Sequence, residues 1–214
     1  MSANIQIIDL GLTCYRDVWD LQRQAQADVM AGAPERIYLT EHHDVYTLGK
    51  HGHAENLLAL PKDVECIRIE RGGDITYHGP GQLVVYPVVN LISHRLGVKA
   101  YINILEEAVI RLMAYYGLEG VRVPGATGVW MGAGSPQERK ICAIGVKISR
   151  GVTMHGLALN VNTRLSGFAS INPCGFVDKG VTSLQAELGR EVDMSDVKAR
   201  LSSCLASLIA KNGC

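Results

Sequence analysis

The sequence lacks the features that would assign it to several specialised classes of protein. Lys and Arg together number 21, and so do Asp and Glu, so the chain has no net charge with which to attract nucleic acid. No apolar stretch approaches the length that a membrane-spanning helix needs, and the first ten residues lack the basic and apolar regions of a secretory signal. We therefore expect a cytoplasmic protein that has neither nucleic acid nor a membrane as a partner.

The cysteines and histidines also lack the spacing of a metal site. The six cysteines stand at positions 14, 66, 142, 174, 204 and 214 without a C-x-x-C pair, so in a reducing compartment we expect free thiols. The pairs His42-His43 and His51-x-His53 could bind zinc, but histidine pairs in loops are more often surface residues. We predict neither a metal ion nor another cofactor, and one of the thiols is a candidate nucleophile.

Hydrophobic periodicity predicts the secondary structure. Apolar residues at intervals of three and four indicate helices at 15–31, 101–116 and 195–212. Short β-rich runs indicate strands at 5–10, 36–41, 45–48, 65–69, 82–91, 121–123, 128–131, 141–149 and 152–161. Ser149-Arg150-Gly151 joins the last two closely enough for an antiparallel hairpin. Because helices and strands do not alternate strictly, we predict an α+β fold, one domain over residues 1–214, with a mixed, largely antiparallel sheet packed by helices.

A glycine-rich segment from Arg71 to His78 crowds polar side chains around two glycines, Gly72 and Gly73. The simplest interpretation is a structural turn, but the segment is denser in polar groups than a turn requires, which favours a functional role. It matches neither G-x-x-x-x-G-K-[ST] nor G-x-G-x-x-G, the devices that commonly hold nucleotide phosphates. The lack of a phosphate-binding motif favours a substrate that is already activated when it binds, so that the enzyme does not have to activate it with ATP.

Lys140 opens an otherwise apolar strand. Most lysines in this position are solvated, but partial burial beside apolar residues would favour the neutral amine and make it a proton acceptor. Strand alternation predicts that Lys140, Cys142 and Ile144 share one face.

Cys174 lies between Pro173 and Gly175, which predicts an exposed turn where a thiolate could attack a substrate. Cys142 is its main rival, although a position within an apolar strand would obstruct attack on a bulky thioester. The remaining cysteines stand in positions that suggest no chemistry.

Four segments together resemble the lipoyl(octanoyl) transferase family and occur in that family's order. They are the highly specific run 71–87 and the shorter Lys140-Ile-Cys-Ala-Ile-Gly145, His155-Gly-Leu-Ala-Leu-Asn160 and Asn172-Pro-Cys-Gly175. The resemblance implies a fold similar to the catalytic domains of biotin and lipoate protein ligases. It also implies that Cys174 carries an acyl-thioester intermediate and that Lys140 is its partner. The acyl-binding pocket that it implies is lined by Arg71, Gly72, Gly73, Asp74, Ile75, Thr76, Tyr77, His78, Ala143, Ile144, Gly145, Gly156, Leu157 and Ala158.

The implied reaction moves an octanoyl group from octanoyl-acyl carrier protein to a lysine, without ATP. The acceptors would be lipoyl domains of 2-oxoacid dehydrogenase E2 subunits and the glycine cleavage H protein. Two alternatives remain open: an ATP-dependent lipoate or biotin ligase of similar fold, and a non-catalytic protein that docks acyl carriers. Acidic partners would in turn favour a basic rim drawn from Arg139, Lys147, Arg150, Arg164 and Lys179.

Overall fold

The computed structural model describes residues 5–172 and 180–211. Its strands, in chain order, are β1 (Gln6–Thr13), β2 (Arg36–His42), β3 (Val45–Leu48), β4 (Glu65–Arg68), β5 (Ile75–His78), β6 (Gln82–Val88), β7 (Val121–Val123), β8 (Ala126–Met131), β9 (Arg139–Ser149), β10 (Val152–Asn160) and β11 (Gly180–Val181). Its α-helices are α1 (Tyr15–Met30), α2 (Val98–Tyr115), α3 (Leu184–Leu188) and α4 (Met194–Lys211), and short 3-10 helices span Ala54–Asn56 and Leu165–Ser170. Within these ranges no helix has the length and apolar character needed to cross a membrane.

The strands form a large sheet and a small one. The large sheet has the order β1-β2-β6-β10-β9-β8-β7, with β11 beside β9. Its pairings from β2 to β7 are antiparallel, whereas β1 runs parallel to β2 and β11 parallel to β9. The small sheet places β3 between β4 and β5. The α+β prediction of a mixed, largely antiparallel sheet packed by helices is confirmed.

Helices cover both faces of the large sheet. On one face, buried apolar side chains of α2 and α4, among them Leu105 and Leu201, pack with Leu83 and Leu159 of the sheet in the main core. On the other face, α1 packs Val18, Ala25 and Val29 against a smaller cluster. The small sheet lies next to α1, because Tyr15 packs with buried residues of β3 and β4.

The buried face of α1 contains polar as well as apolar residues. Leu21 is exposed, whereas Gln22 and Gln26 are buried. The Gln22 side-chain oxygen accepts from the backbone N–H of His155 at 2.8 Å, and Gln26 donates to the Val152 carbonyl at 2.9 Å. Buried amides are tolerated here because each makes a hydrogen bond to the backbone of β10.

The hairpin predicted at Ser149-Arg150-Gly151 is present. Ser149 pairs with Val152, and φ is 48° at Arg150 and 82° at Gly151. Two successive positive φ angles are the pattern of the two-residue turn that matches the twist of antiparallel strands. The hairpin sets the β9–β10 register, in which Ala143 faces Ala158 and Gly145 faces Gly156.

Candidate active site

A cavity of about 410 Å³ lies between the small sheet and strands β9 and β10. This volume falls in the range of pockets that hold small ligands, roughly 300–1,000 Å³. The sequence-predicted site residues that line it are Arg71, Gly73, Asp74, Ile75, Thr76, His78, Lys140, Ala143, Ile144, Gly145, Gly156, Leu157 and Ala158. Gly72 and Tyr77 are not among the lining residues, and Cys174 lies outside the described ranges.

The floor of the cavity is made of small residues. Ala143 and Ala158 are paired across β9 and β10, and so are Gly145 and Gly156. A Cβ atom at Gly145 would lie 2.8 Å from the Gly72 carbonyl oxygen and 3.1 Å from Cδ of Arg71. Glycine at position 145 therefore allows the Arg71–Asp74 turn to approach the strand closely.

Arg71 organises this turn through hydrogen bonds to the backbone. Its Nη2 donates to the Thr47 carbonyl at 2.7 Å and to Thr47 Oγ1 at 3.0 Å, and its Nη1 donates to the Gly72 carbonyl at 3.0 Å. The Gly72 N–H donates to the Val146 carbonyl on β9 at 3.0 Å. Gly72 thus ties the turn to the large sheet, while Gly73, with φ of 84°, faces the cavity.

Tyr77 supports the cavity from outside. Its ring packs 5.5 Å from that of Tyr46 and 5.3 Å from that of Phe168, measured between centroids. Its hydroxyl donates to Asp44 Oδ1 at 2.6 Å. On β5, Tyr77 therefore stabilises the small sheet, and Thr76 and His78 line the cavity.

Lys140 lines the cavity next to an aromatic side chain. Its Nζ lies 4.6 Å from the ring centroid of Trp130, which is buried and stands opposite Lys140 on β8. A cation over an indole ring gains a favourable electrostatic interaction. The side chain is therefore held at the cavity wall.

The prediction that Lys140 and Cys142 share a face is wrong. A bulge shifts the register between β8 and β9, so that Trp130 pairs with Lys140 but Val129 pairs with Cys142. Cys142 is fully buried with Val129 in the main core, whereas Lys140 lines the cavity. Burial raises the pKa of the Cys142 thiol well above its usual range, because the thiolate is poorly solvated there.

Glycine at position 128 makes this bulge possible. Its φ is 122°, and a Cβ atom there would lie 2.4 Å from the Cys142 carbonyl oxygen. Its N–H donates to Oε1 of the buried Glu106 at 3.1 Å, and Glu106 in turn accepts from Arg122 Nε at 3.0 Å. The position of Lys140 thus depends on a backbone conformation that only glycine adopts without strain.

Three buried histidines, His42, His78 and His155, form a cluster with Tyr15 and Tyr86 behind the Arg71 turn. Their ring contacts have centroid distances between 5.1 Å and 6.5 Å. Burial lowers the pKa of His42 to about 4 and those of His78 and His155 to about 3. This buried histidine cluster is neutral near pH 7. His42 therefore has a packing role and does not form part of a surface histidine pair.

A chain of amides connects the cluster to the strand beside Lys140. Nδ1 of His78 lies 2.7 Å from Gln82 Oε1, and Gln82 Nε2 donates to Asn160 Oδ1 at 2.9 Å. Asn160 Nδ2 then donates to the Thr182 carbonyl at 2.9 Å, and the Thr182 N–H donates to the Lys140 carbonyl at 3.0 Å. Sequence reasoning missed this connection, although Gln82 and Asn160 both stand at strand ends within the motifs.

The predicted basic rim is largely neutralised. Three of its members pair with carboxylates, which are Arg139 with Glu187 at 2.6 Å, Lys147 with Glu70 at 3.2 Å, and Arg164 with Asp44 at 2.7 Å. Arg150 is exposed on the hairpin turn, and Lys179 lies outside the described residues. Among residues 5–172 and 180–211, no group of three or more His, Cys, Asp or Glu side chains could hold a metal ion.

Known proteins are similar to this sequence over nearly its whole length. Residues 14–206 match the family described as the lipoyl protein ligase A/B catalytic domain. An octanoyltransferase of Bacteroides thetaiotaomicron is 50% identical, over 95% of this chain and 94% of its own length. An octanoyltransferase of Flavobacterium johnsoniae is 46% identical, over 97% of each chain.

Solved structures show the same fold at much lower identity. Lipoate-protein ligase A bound with ATP superposes with a TM-score of 0.70 at 15% identity, covering 97% of this chain and 85% of that one. Biotin protein ligase from Aquifex aeolicus gives 0.53 at 13% identity, covering 99% and 71%. The expected similarity to ligase catalytic domains is confirmed at the level of the fold.

Proposed function

Because this chain belongs to the family of lipoyl protein ligase A/B catalytic domains, we propose that it is an octanoyltransferase of the cytoplasm. The donor is octanoyl-acyl carrier protein. The acceptors are lysines on the lipoyl domains of 2-oxoacid dehydrogenase E2 subunits and on the glycine cleavage H protein. The product is an amide between the octanoyl group and the lysine ε-amine.

The observation that carries this proposal is the cavity between β5 and the β9–β10 floor, with Lys140 in its wall. Ala143, Ala158 and the paired glycines leave room for a linear chain above the floor. Each methylene removed from water contributes ~0.8 kcal/mol, so burying most of an octanoyl chain contributes roughly 5 kcal/mol. Such a cavity retains the acyl group while its two protein partners exchange.

In the first half-reaction, the proton of the Cys174 thiol passes to the amine of Lys140, which leaves an ammonium group beside the Trp130 ring, and the sulfur attacks the carbonyl carbon of the donor thioester. The tetrahedral intermediate collapses as the carrier thiolate leaves and takes up that proton. The acyl group is then bound to Cys174 as a new thioester. The pairing of β11 with β9 supports the assignment of Cys174 and Lys140 as partners. Val181 pairs directly with Lys140 and follows Cys174 by seven residues in the sequence.

In the second half-reaction, the acceptor lysine attacks the acyl-enzyme. Its nitrogen forms the amide bond, and the bond between the acyl carbon and the sulfur of Cys174 breaks. Lys140 accepts a proton from the attacking amine and returns one to the leaving sulfur, which restores the resting enzyme. The conversion of a thioester into an amide is exergonic, so the reaction needs no ATP.

The remaining predicted residues hold the acyl chain in this proposal. Ala143, Gly145, Gly156 and Ala158 form the floor, and the Arg71–His78 segment forms the opposite wall. Gly72 and Tyr77 act indirectly, since one ties the turn to β9 and the other packs the small sheet.

Transfer to a purified lipoyl domain tests the proposal against the ligase alternative. We expect octanoyl-lysine to form from octanoyl-acyl carrier protein without nucleotide, and none to form from free octanoate with ATP and Mg²⁺. Product from the free acid alone would identify a ligase. Binding of the carrier protein without product in either arm would indicate a docking protein.

A further inference from the structure

A row of cavity-lining residues crosses the large sheet from β9 over β10 to β6. Ala143 on β9 pairs with Ala158 on β10, Ala158 pairs with Val84 on β6, and all three line the cavity. Neighbouring strands lie about 4.8 Å apart, so the row extends for roughly 10 Å. Strand β2, which the structure describes in full, comes next in the sheet, and none of its residues lines the cavity. The cavity floor therefore ends at β6.

Tyr15 lies at this end of the cavity. It is the first residue of α1, it lines the cavity, and its ring centroid lies 5.1 Å from that of His42 at the end of β2. The His42 ring in turn lies 5.9 Å from that of Tyr86 on β6, measured between centroids. On the side of the small sheet, the Tyr15 ring stacks on His78 at 5.8 Å. Tyr15 thus fills the space between the last strand of the floor and the small sheet.

Packing on the far side of Tyr15 holds its ring in place. Tyr15 forms a buried apolar cluster with Val45, Ile67 and Ile69 of the small-sheet region. Trp19, one turn further along α1, packs against the same cluster. A large ring in a close-packed interior has few alternative positions. A ligand chain that reaches Tyr15 therefore meets a fixed aromatic wall.

The width of the floor matches the length of a medium-chain acyl group. Lys140 lies on β9, so in the proposed reaction the acyl carbonyl lies on the β9 side of the cavity. An extended eight-carbon chain spans about 9 Å, given carbon–carbon bonds of about 1.5 Å. Such a chain reaches from β9 to β6, and its methyl group then lies next to Tyr15. A chain with two more carbons is about 2.5 Å longer and meets the ring.

We propose that the Tyr15 ring closes the inner end of the acyl cavity and limits the transferred acyl group to about eight carbons. Up to this length, each further methylene that enters the cavity strengthens binding about fourfold. A longer chain displaces the ring or is itself compressed, as in an overfilled core, which costs about tenfold or more. This inference rests on the proposed function, because it takes the cavity to be the acyl site.

Competition among donors measures the limit. The full-length protein and a lipoyl domain react with an equimolar mixture of hexanoyl-, octanoyl-, decanoyl- and dodecanoyl-acyl carrier protein, and mass spectrometry quantifies each product. Because the donors compete in one reaction, the initial product ratios equal the ratios of kcat/KM and do not depend on the folded fraction of a variant. We expect octanoyl transfer to exceed decanoyl and dodecanoyl transfer by about tenfold or more. Tyr15→Leu, which removes the ring, should raise decanoyl transfer at least to the level of octanoyl transfer.

Tyr15→Phe keeps the ring and should keep the limit. Tyr101→Leu is the matched control, because it removes a fully buried ring from α2, in the core on the opposite face of the sheet, and Tyr101 does not line the cavity. It should leave the product ratios unchanged. Equal transfer of octanoyl and dodecanoyl groups by the unmodified protein would overturn the limit, and so would unchanged ratios in Tyr15→Leu. Failure to transfer any of the four acyl groups would instead refute the proposed function.

Discussion

Replacing Lys140 by arginine separates two roles that the proposed mechanism gives to this residue. Arginine keeps a positive charge and can still lie over the Trp130 ring, where Nζ of Lys140 is now 4.6 Å from the centroid. It does not lose a proton near neutral pH. A residue that only stabilises a thiolate should tolerate the change, whereas a residue that accepts and returns protons should not.

The expected magnitude follows from these two roles. The cation–π contact, worth roughly 0.5–2 kcal/mol, is available to arginine as well, so an electrostatic role predicts a loss of about tenfold or less. Positioned proton transfer is typically worth ~10²–10⁴ in rate, or about 3–5 kcal/mol at 1.36 kcal/mol for each factor of ten. We therefore expect Lys140→Arg to lose 10²–10⁴ in both half-reactions.

Single-turnover kinetics measure each half-reaction separately, as acylation by octanoyl-acyl carrier protein and as discharge to a lipoyl domain. Lys147→Arg is the matched control, because Lys147 lies on the same strand but pairs with Glu70 and does not line the cavity. Near-normal rates for Lys140→Arg in both steps would refute the proton-transfer role. The base would then have to be sought elsewhere, with the neutral His78 the first candidate.

Three further results are expected. Cys174→Ala should abolish transfer, while Cys142→Ala, which removes a core thiol with a raised pKa, should retain most activity in the same assay. Gly128→Ala should lower the melting temperature by about 5–10 °C and slow transfer, since its Cβ meets the Cys142 carbonyl, whereas Gly134→Ala, with positive φ but no close contact, should cost less. The buried histidine cluster is neutral when folded, but its histidines take up protons near pH 6.5 when unfolded. Its stabilising contribution is therefore complete above pH 6.5 and falls as the pH drops through the folded-state pKa values, which are about 4 for His42 and about 3 for His78 and His155. Unfolding by urea should therefore give a smaller free energy of unfolding at pH 5 than at pH 7.5, which corresponds to proton uptake on unfolding. Equal free energies at the two pH values would contradict the assignment of neutral histidines.

The long helices and most strands of the large sheet could be predicted because their apolar periodicity is strong. The prediction for α1 began at Tyr15, as observed, and the β9–β10 hairpin follows from the turn residues Arg150 and Gly151. Strand β5 was missed because its four residues follow two glycines and resemble a loop. The short α3 and β11 were missed because they contain too few residues to show a period.

The candidate site was also predicted only in part from the sequence. Motif residues on regular strands, such as Ala143 and Ala158, were assigned to the pocket by the family resemblance, and the register of the hairpin places the two opposite each other. The bulge at Gly128 could not be anticipated, and it moved Lys140 away from the face of Cys142. The contacts of His155 depend on partners distant in sequence, such as Gln22, which no local pattern indicates.

The most direct test of the account is the intact mass of the protein after brief mixing with octanoyl-acyl carrier protein, followed by peptide mapping. We expect a single octanoyl adduct on Cys174 that is removed by hydroxylamine and disappears when a lipoyl domain is added. An adduct on another residue would contradict the assignment of the nucleophile. Efficient transfer to the lipoyl domain with no acyl-enzyme at any mixing time would contradict the covalent mechanism.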